Sequence, residues 1–250
     1  MHFLVGAHPR CVAMGEVWSL IGRPESIATA DTAWCSCGET IASCRFWGPL
    51  LPELDGSGDY APFLARFQQC YPGRLCVDSS KNLEAMRITH PAKVLHVIRD
   101  VRGWSISSGR RGLRAYLSWK RDNERRIEFL NRGKYDWLLV SYDELNLRPE
   151  PSLRRICNFL GLPYTDQMLR YGEVEHHGIK TNMKEDPRKM AGIAYDYRWM
   201  HDPRAQLPSA LLPWVMRFNS RHVYGTCERK NRDRPDRSHG TRSHPVGAIR

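Results

Sequence analysis

No apolar run in this 250-residue chain approaches the roughly 18 residues that a membrane-crossing helix needs. The opening MHFLVGAHPR is also a poor secretory signal: it has no basic leader, and its apolar run is shorter than the roughly 7–15 residues required. The chain contains no internal repeat and no recognisable nucleic-acid-binding module. Acidic residues are in short supply, 27 Asp and Glu against 38 Lys and Arg. These absences argue against a membrane span and a solenoid. They leave a cytoplasmic, soluble α/β protein as the expectation, with its eight cysteines mostly as free thiols.

The charge of +11 points to a polyanionic partner: nucleic acid, an anionic surface, or a phosphate- or sulfate-bearing ligand. Part of it sits in a tail. After Thr226 the chain carries seven Lys or Arg against three Asp or Glu, in a Ser-, Gly- and Pro-containing context that predicts a disordered basic segment over 226–250. The rest of the excess belongs to the body, read as one domain over 1–225.

Within the body, KVLHVI (93–98) and WLLVS (137–141) are apolar, β-branched runs of the kind buried in parallel sheets. A shorter run, 74–77, ends in Asp78-Ser79-Ser80-Lys81. Helical spacing is predicted over 61–71, from about Arg102, over 113–132, over 150–160 and over 204–222 with a break near Pro213. Asn82–Thr89 reads as a short capped helix, residues 1–8 as the end of an apolar helix, and 17–50 as a loop-rich, Cys-containing insert. The alternation of strand and helix predicts a doubly wound parallel sheet flanked by helices. Ligands in such sheets sit at the carboxyl ends of the strands. The polar clusters at 78–81, 99–102 and 141–144 occupy those ends.

The stretch VLHVIRDVRGWSIS delivers Arg99 at a strand end, with Ser107 about two helical turns further on. A guanidinium and a hydroxyl so spaced suit a phosphate, because the planar Arg fork binds its oxygens bidentately. The alternative is that Arg99 pairs with Asp100 or Asp78 and Ser107 is an ordinary helix residue. Cys35-x-Cys37 with Cys44 offers three sulfurs. Tetrahedral zinc needs a fourth ligand, for which Cys11, Cys70 or His8 are candidates, and the spacing is tighter than usual zinc spacings. His176-His177 lack metal-site spacing. The expectation is therefore buried thiols and no metal.

The pattern strand–Arg-Asp-x-Arg-x-x-x-Ile-Ser resembles the 3′-phosphate motif of sulfotransferases that use 3′-phosphoadenosine 5′-phosphosulfate (PAPS), a P-loop-like nucleotide-binding family. Val77-Asp78-Ser79-Ser80-Lys81, WLLVSYDEL, ICNFLGLP, Asn182-Met183-Lys184 and Asp196-Tyr197-Arg198-Trp199 are similar to further family elements in the same order. The resemblance implies that Arg99 and Ser107 hold the 3′-phosphate and that Tyr142 contacts the adenine. It implies that Lys81 neutralises charge on the moving sulfuryl group and that Lys184 serves the nucleotide end. Gly15-Glu16 resembles the Gly-Glu pair of tyrosylprotein sulfotransferases, in which the Glu is the catalytic base. The implied acceptor is a small molecule, carbohydrate or peptide bearing a hydroxyl or amine.

In this family a first strand and a Gly-rich loop for the 5′-phosphosulfate precede the first helix. The sequence opens inside that helix, so the expected sheet lacks its first strand and that loop, and Met1 is either the start of a truncated chain or an internal methionine of a longer protein. Two other readings stand beside the enzyme: a truncated, non-catalytic relative keeping part of the nucleotide site, and a basic nucleic-acid binder.

Overall fold

The computed structural model describes residues 1–22, 33–54, 57–81, 92–179 and 192–225. The expected helix at Asn82–Thr89, the Asn182-Met183-Lys184 segment and the basic tail lie outside the described residues. The described residues divide into two units, the first drawn from Met1–Val94 and Pro163–Gly192, the second from Leu95–Leu162 and 193–225.

The first unit opens with α1 (His2–Gly6), followed by β1 (Cys11–Gly15) and α2 (Trp18–Ile21). α3 (Tyr60–Cys70) and β2 (Leu75–Asp78) follow the Cys-containing insert. β1 lacks the β-branched run that announces a strand, so its sequence was legible only as the exit from a helix. All five of its residues are buried, and it pairs parallel with β2. The register runs Cys11 to Leu75, Val12 to Cys76, Ala13 to Val77 and then Gly15 to Asp78, with a bulge between Ala13 and Gly15. At Gly15 φ is +77°, and a Cβ would lie 2.0 Å from the Ile179 carbonyl oxygen, so both backbone shape and space demand glycine. α3 is capped by Asp59, whose carboxylate accepts from the Ala61 N–H at 2.9 Å. It buries Tyr60, Phe63 and Phe67 in a core with Trp47, Leu50, Val12 and Met14. Each such side chain contributes about 1.5–3 kcal/mol of burial.

In the second unit β3 (Lys93–Ile98) and β4 (Asp136–Ser141) are neighbours in a sheet. Around them run α4 (Val101–Ser108), α5 (Gly112–Arg132), α6 (Tyr142–Leu147), α7 (Pro149–Leu160), α8 (Pro203–Leu211) and α9 (Pro213–Asn219). Pro213 begins α9 rather than kinking one longer helix, as its missing N–H allows at a first turn. Gly161, at φ +75°, ends α7, and the Leu162 N–H reaches back to the Cys157 carbonyl at 2.9 Å. The core here is Ile98, Val101, Tyr116, Trp119, Leu212, Val215 and Val223. The mixed α/β architecture with parallel strands flanked by helices is the one expected from the sequence. No helix among the described residues is long and apolar enough to cross a membrane.

Candidate functional site

Two polar clusters stand at strand ends, one in each unit. In the first unit, the parallel pairing of β1 and β2 brings Gly15-Glu16 beside Ser79-Ser80-Lys81. The Ser79 N–H donates to the Gly15 carbonyl at 2.7 Å, and the Trp18 N–H donates to Ser80 Oγ at 2.9 Å, so the two strand exits are tied together. Asp78 is buried. It accepts from the Ser80 N–H through Oδ1 at 2.7 Å and from the Tyr60 hydroxyl through Oδ2 at 2.7 Å, which fixes the turn that carries Lys81. At the end of this scaffold Lys81 Nζ lies 3.1 Å from Glu16 Oε1. The Glu16 backbone is held from its other side, its N–H donating to the Ile179 carbonyl at 3.1 Å. Glu16 and Lys81, sixty-five positions apart in sequence, are thus brought together as an ion pair.

In the second unit, β3 ends at Arg99-Asp100. Asp100 is fully buried and is a structural anchor. It caps α4 by accepting from the Arg102 N–H at 2.8 Å, and it takes Arg102 Nε and Nη2 at 2.9 and 2.8 Å. It also accepts from Asn219 Nδ2 and the Tyr224 hydroxyl, each at 2.8 Å. Burial pushes its carboxyl pKa up, but the bonds from Arg102, Asn219 and Tyr224 outweigh that and hold it below the ordinary value. Asp143, the first acid of α6, receives the Asp100 N–H at 2.7 Å and the Tyr195 hydroxyl at 2.5 Å; burial raises its pKa. Asn219, Tyr224 and Tyr195 carry no sequence signal as partners, since long-range hydrogen bonds have no local periodicity.

Arg99 does not pair with Asp100 or Asp78. Its Nη2 donates to Asp196 Oδ2 at 2.9 Å, and its guanidinium lies 4.5 Å from the centre of the Tyr142 ring. Asp196 also takes a fork from Arg198 at 2.8 and 2.7 Å, and Arg198 first, then Arg99, holds its carboxyl well below the usual range. Arg99 and Tyr142 are therefore brought together, through the Asp196 element that the sequence also singled out. Arg99 Nε is buried with no hydrogen-bond partner among the described residues. Leaving such a donor unmet costs about 1–3 kcal/mol, which an anion reaching it would recover. A Cβ on Gly103 would stand 2.9 Å from that same nitrogen, so the glycine keeps its space open. Ser107 is exposed on α4, its hydroxyl donating to the Trp104 carbonyl of its own helix at 3.2 Å. Among the described residues no hydrogen bond joins Ser107 to Arg99. Lys184 lies outside the described residues.

Residues 64–166 match a family model described as "Sulfotransferase family". Over that segment the chain is similar to the sulfotransferase family. The matched segment contains Lys81, Arg99, Ser107 and Tyr142, and leaves out Glu16 and Lys184. The chain is 27% identical over 143 residues to a Caenorhabditis briggsae protein named "Putative protein-tyrosine sulfotransferase", the match covering 55% of the chain and 47% of that relative. The chain thus spans about half the length of the curated relative it matches. Its fold is similar to the solved "Sulfotransferase Domain from the Curacin Biosynthetic Pathway". That likeness has a TM-score of 0.55 and 14% identity, and covers 85% of this chain and 92% of that one.

Proposed function

We propose that this chain is a sulfotransferase that moves a sulfuryl group from PAPS to a hydroxyl or amine acceptor. The observation that carries the reading is the Glu16–Lys81 pair at the exits of two parallel strands. Glu16 takes the proton from the acceptor, and Lys81 places positive charge where the sulfuryl oxygens gather negative charge. Bound PAPS supplies the activated sulfuryl group and a nucleotide leaving group.

The residues present fit the 3′-phosphoadenosine end. Arg99 offers an unmet buried donor, Tyr142 an aromatic face and Ser107 an exposed hydroxyl. Lys184 is assigned to the nucleotide on its sequence context alone. A nucleic-acid partner is not part of this reading, since the basic residues that act here are single side chains at strand ends rather than a continuous stripe.

Calorimetry with adenosine 3′,5′-bisphosphate tests the donor half. Binding that weakens in Arg99→Ala supports it, and the absence of binding to the wild-type chain contradicts it.

A further inference from the structure

The Cys-containing insert carries a side-chain cluster that the transfer reaction does not use. Cys35, Cys37, Cys44 and His177 point four ligand atoms at one another, all within 4.8 Å. Cys37 Sγ lies 3.6 Å from Cys44 Sγ, and Cys44 Sγ lies 3.7 Å from Cys35 Sγ. His177 Nδ1 stands 3.4 Å from the Cys44 sulfur and 3.8 Å from the Cys35 sulfur.

These four separations are close to tetrahedral edges, and the other two pairs lie within 4.8 Å. Zinc bonds of about 2.3 Å to sulfur and about 2.0–2.1 Å to nitrogen give edges of roughly 3.7–3.8 Å between sulfurs and roughly 3.5–3.6 Å between sulfur and nitrogen. The sulfurs are not bonded to each other; Cys35, Cys37 and Cys44 are free thiols. Cys35 and Cys44 are buried, while Cys37 and His177 are partly so, which describes a closed site near the surface.

Burial raises the pKa of the Cys35 and Cys44 thiols, and backbone N–H groups act against it, that of Cys37 on the Cys35 sulfur and those of Trp47 and Phe46 on the Cys44 sulfur. His177 is fixed from both ends: its carbonyl accepts from Trp47 Nε1 at 2.7 Å and its ring stacks on Phe46. Glu175 Oε1 lies 3.7 Å from His177 Nε2, a carboxylate on the far side of the ring from the sulfurs, where partners of metal-bound histidines are usually found.

We propose that Cys35, Cys37, Cys44 and His177 bind one zinc ion in a structural Cys3His site. The fourth ligand is 133 positions from Cys44 and has no spacing signature of its own in the sequence. The site has a clear mechanical task. It fastens the insert to the 176–179 segment, where the Ser36 N–H donates to the Gly178 carbonyl at 2.9 Å and Cys35 bridges Ile179. Ile179 in turn backs Gly15 and Glu16.

The test is elemental analysis of the full chain, purified under reducing conditions and reconstituted with zinc(II), together with the absorption spectrum after exchange with cobalt(II). The expected results are about one zinc per chain, and cobalt bands of a tetrahedral site with thiolate-to-metal charge transfer. Cys37→Ser and His177→Ala each should lose at least about tenfold in zinc affinity, while Cys157→Ser, away from the cluster, keeps it. A reduced chain that takes up no zinc overturns the proposal. So does a cobalt spectrum without thiolate charge transfer, or equal loss in Cys157→Ser. The wild-type measurements decide the matter even if a ligand variant fails to fold, and they do not depend on sulfuryl transfer.

Discussion

Lys81 Nζ sits 3.1 Å from Glu16 Oε1, with the lysine side chain 65% exposed and the glutamate 30%. An ion pair so open to water contributes about 0–1 kcal/mol to folding. So small a contribution to folding lets the proposed catalytic role be tested apart from stability. Glu16→Gln should therefore lower sulfuryl transfer by about 10²–10⁴-fold, the usual yield of general-base catalysis, and leave the thermal midpoint essentially unchanged. Lys81→Ala should behave alike. Kinetics beside a thermal melt for each variant make the check. A loss of activity that tracks a loss of fold would remove the catalytic assignment.

Gly103 offers a sharper separation of binding from stability. An alanine methyl there would meet Arg99 Nε at 2.9 Å and Trp199 Cδ1 at 3.2 Å, so Arg99 must move aside. Alanine also raises helix propensity by about 1 kcal/mol in a helix interior, which offsets much of the crowding. Gly103→Ala should weaken adenosine 3′,5′-bisphosphate binding severalfold with little change in denaturant midpoint. Unchanged affinity would mean that Arg99 does not touch the nucleotide.

Arg99→Lys tests the fork itself. Lysine keeps the charge but loses the planar donor pair and the face that lies over Tyr142. Nucleotide affinity should fall about tenfold or more, nearly as far as in Arg99→Ala. Full rescue by lysine would reduce the role of Arg99 to a simple point charge.

Asp100 ties the acid limb of stability to one buried carboxylate. Its folded pKa is held below the unfolded value, so its contribution is fully present above about pH 4 and is lost as pH falls through the folded pKa. Asp143, whose folded pKa is raised, acts with the opposite sign: its contribution is best at low pH and declines as pH rises through that raised value. Asp100→Asn should lower stability near neutral pH by about 3–5 kcal/mol, because it leaves the Arg102 charge without its partner. It should also flatten the loss of stability on acidification. Urea unfolding at several pH values between about 2 and 7 reads both effects. An acid limb as steep as the wild type's would assign it to other carboxylates.

Much of this was legible in sequence because it is local. KVLHVI and WLLVS formed strands where their β-branched runs indicated, and Gly161 stopped α7. The Asp78-Ser79-Ser80-Lys81 and Arg99-Asp100 clusters fell at strand ends as an α/β alternation requires. CVAMG was missed, since two of its five residues are small and one is glycine, and only burial on both faces makes it a strand. The partners of Arg99 and Asp100 were missed for a different reason. Asp196 lies 97 positions from Arg99 and Asn219 lies 119 from Asp100, and no spacing rule connects residues so far apart.

The central claim is tested most directly by incubating the chain with PAPS labelled in its sulfuryl group and with tyrosyl peptides, carbohydrates, and small alcohols and amines. The account predicts that label appears on at least one acceptor class and that Glu16→Gln lowers the transfer by about 10²–10⁴-fold. Label that moves to no acceptor, in a chain that also fails to bind adenosine 3′,5′-bisphosphate, would contradict it.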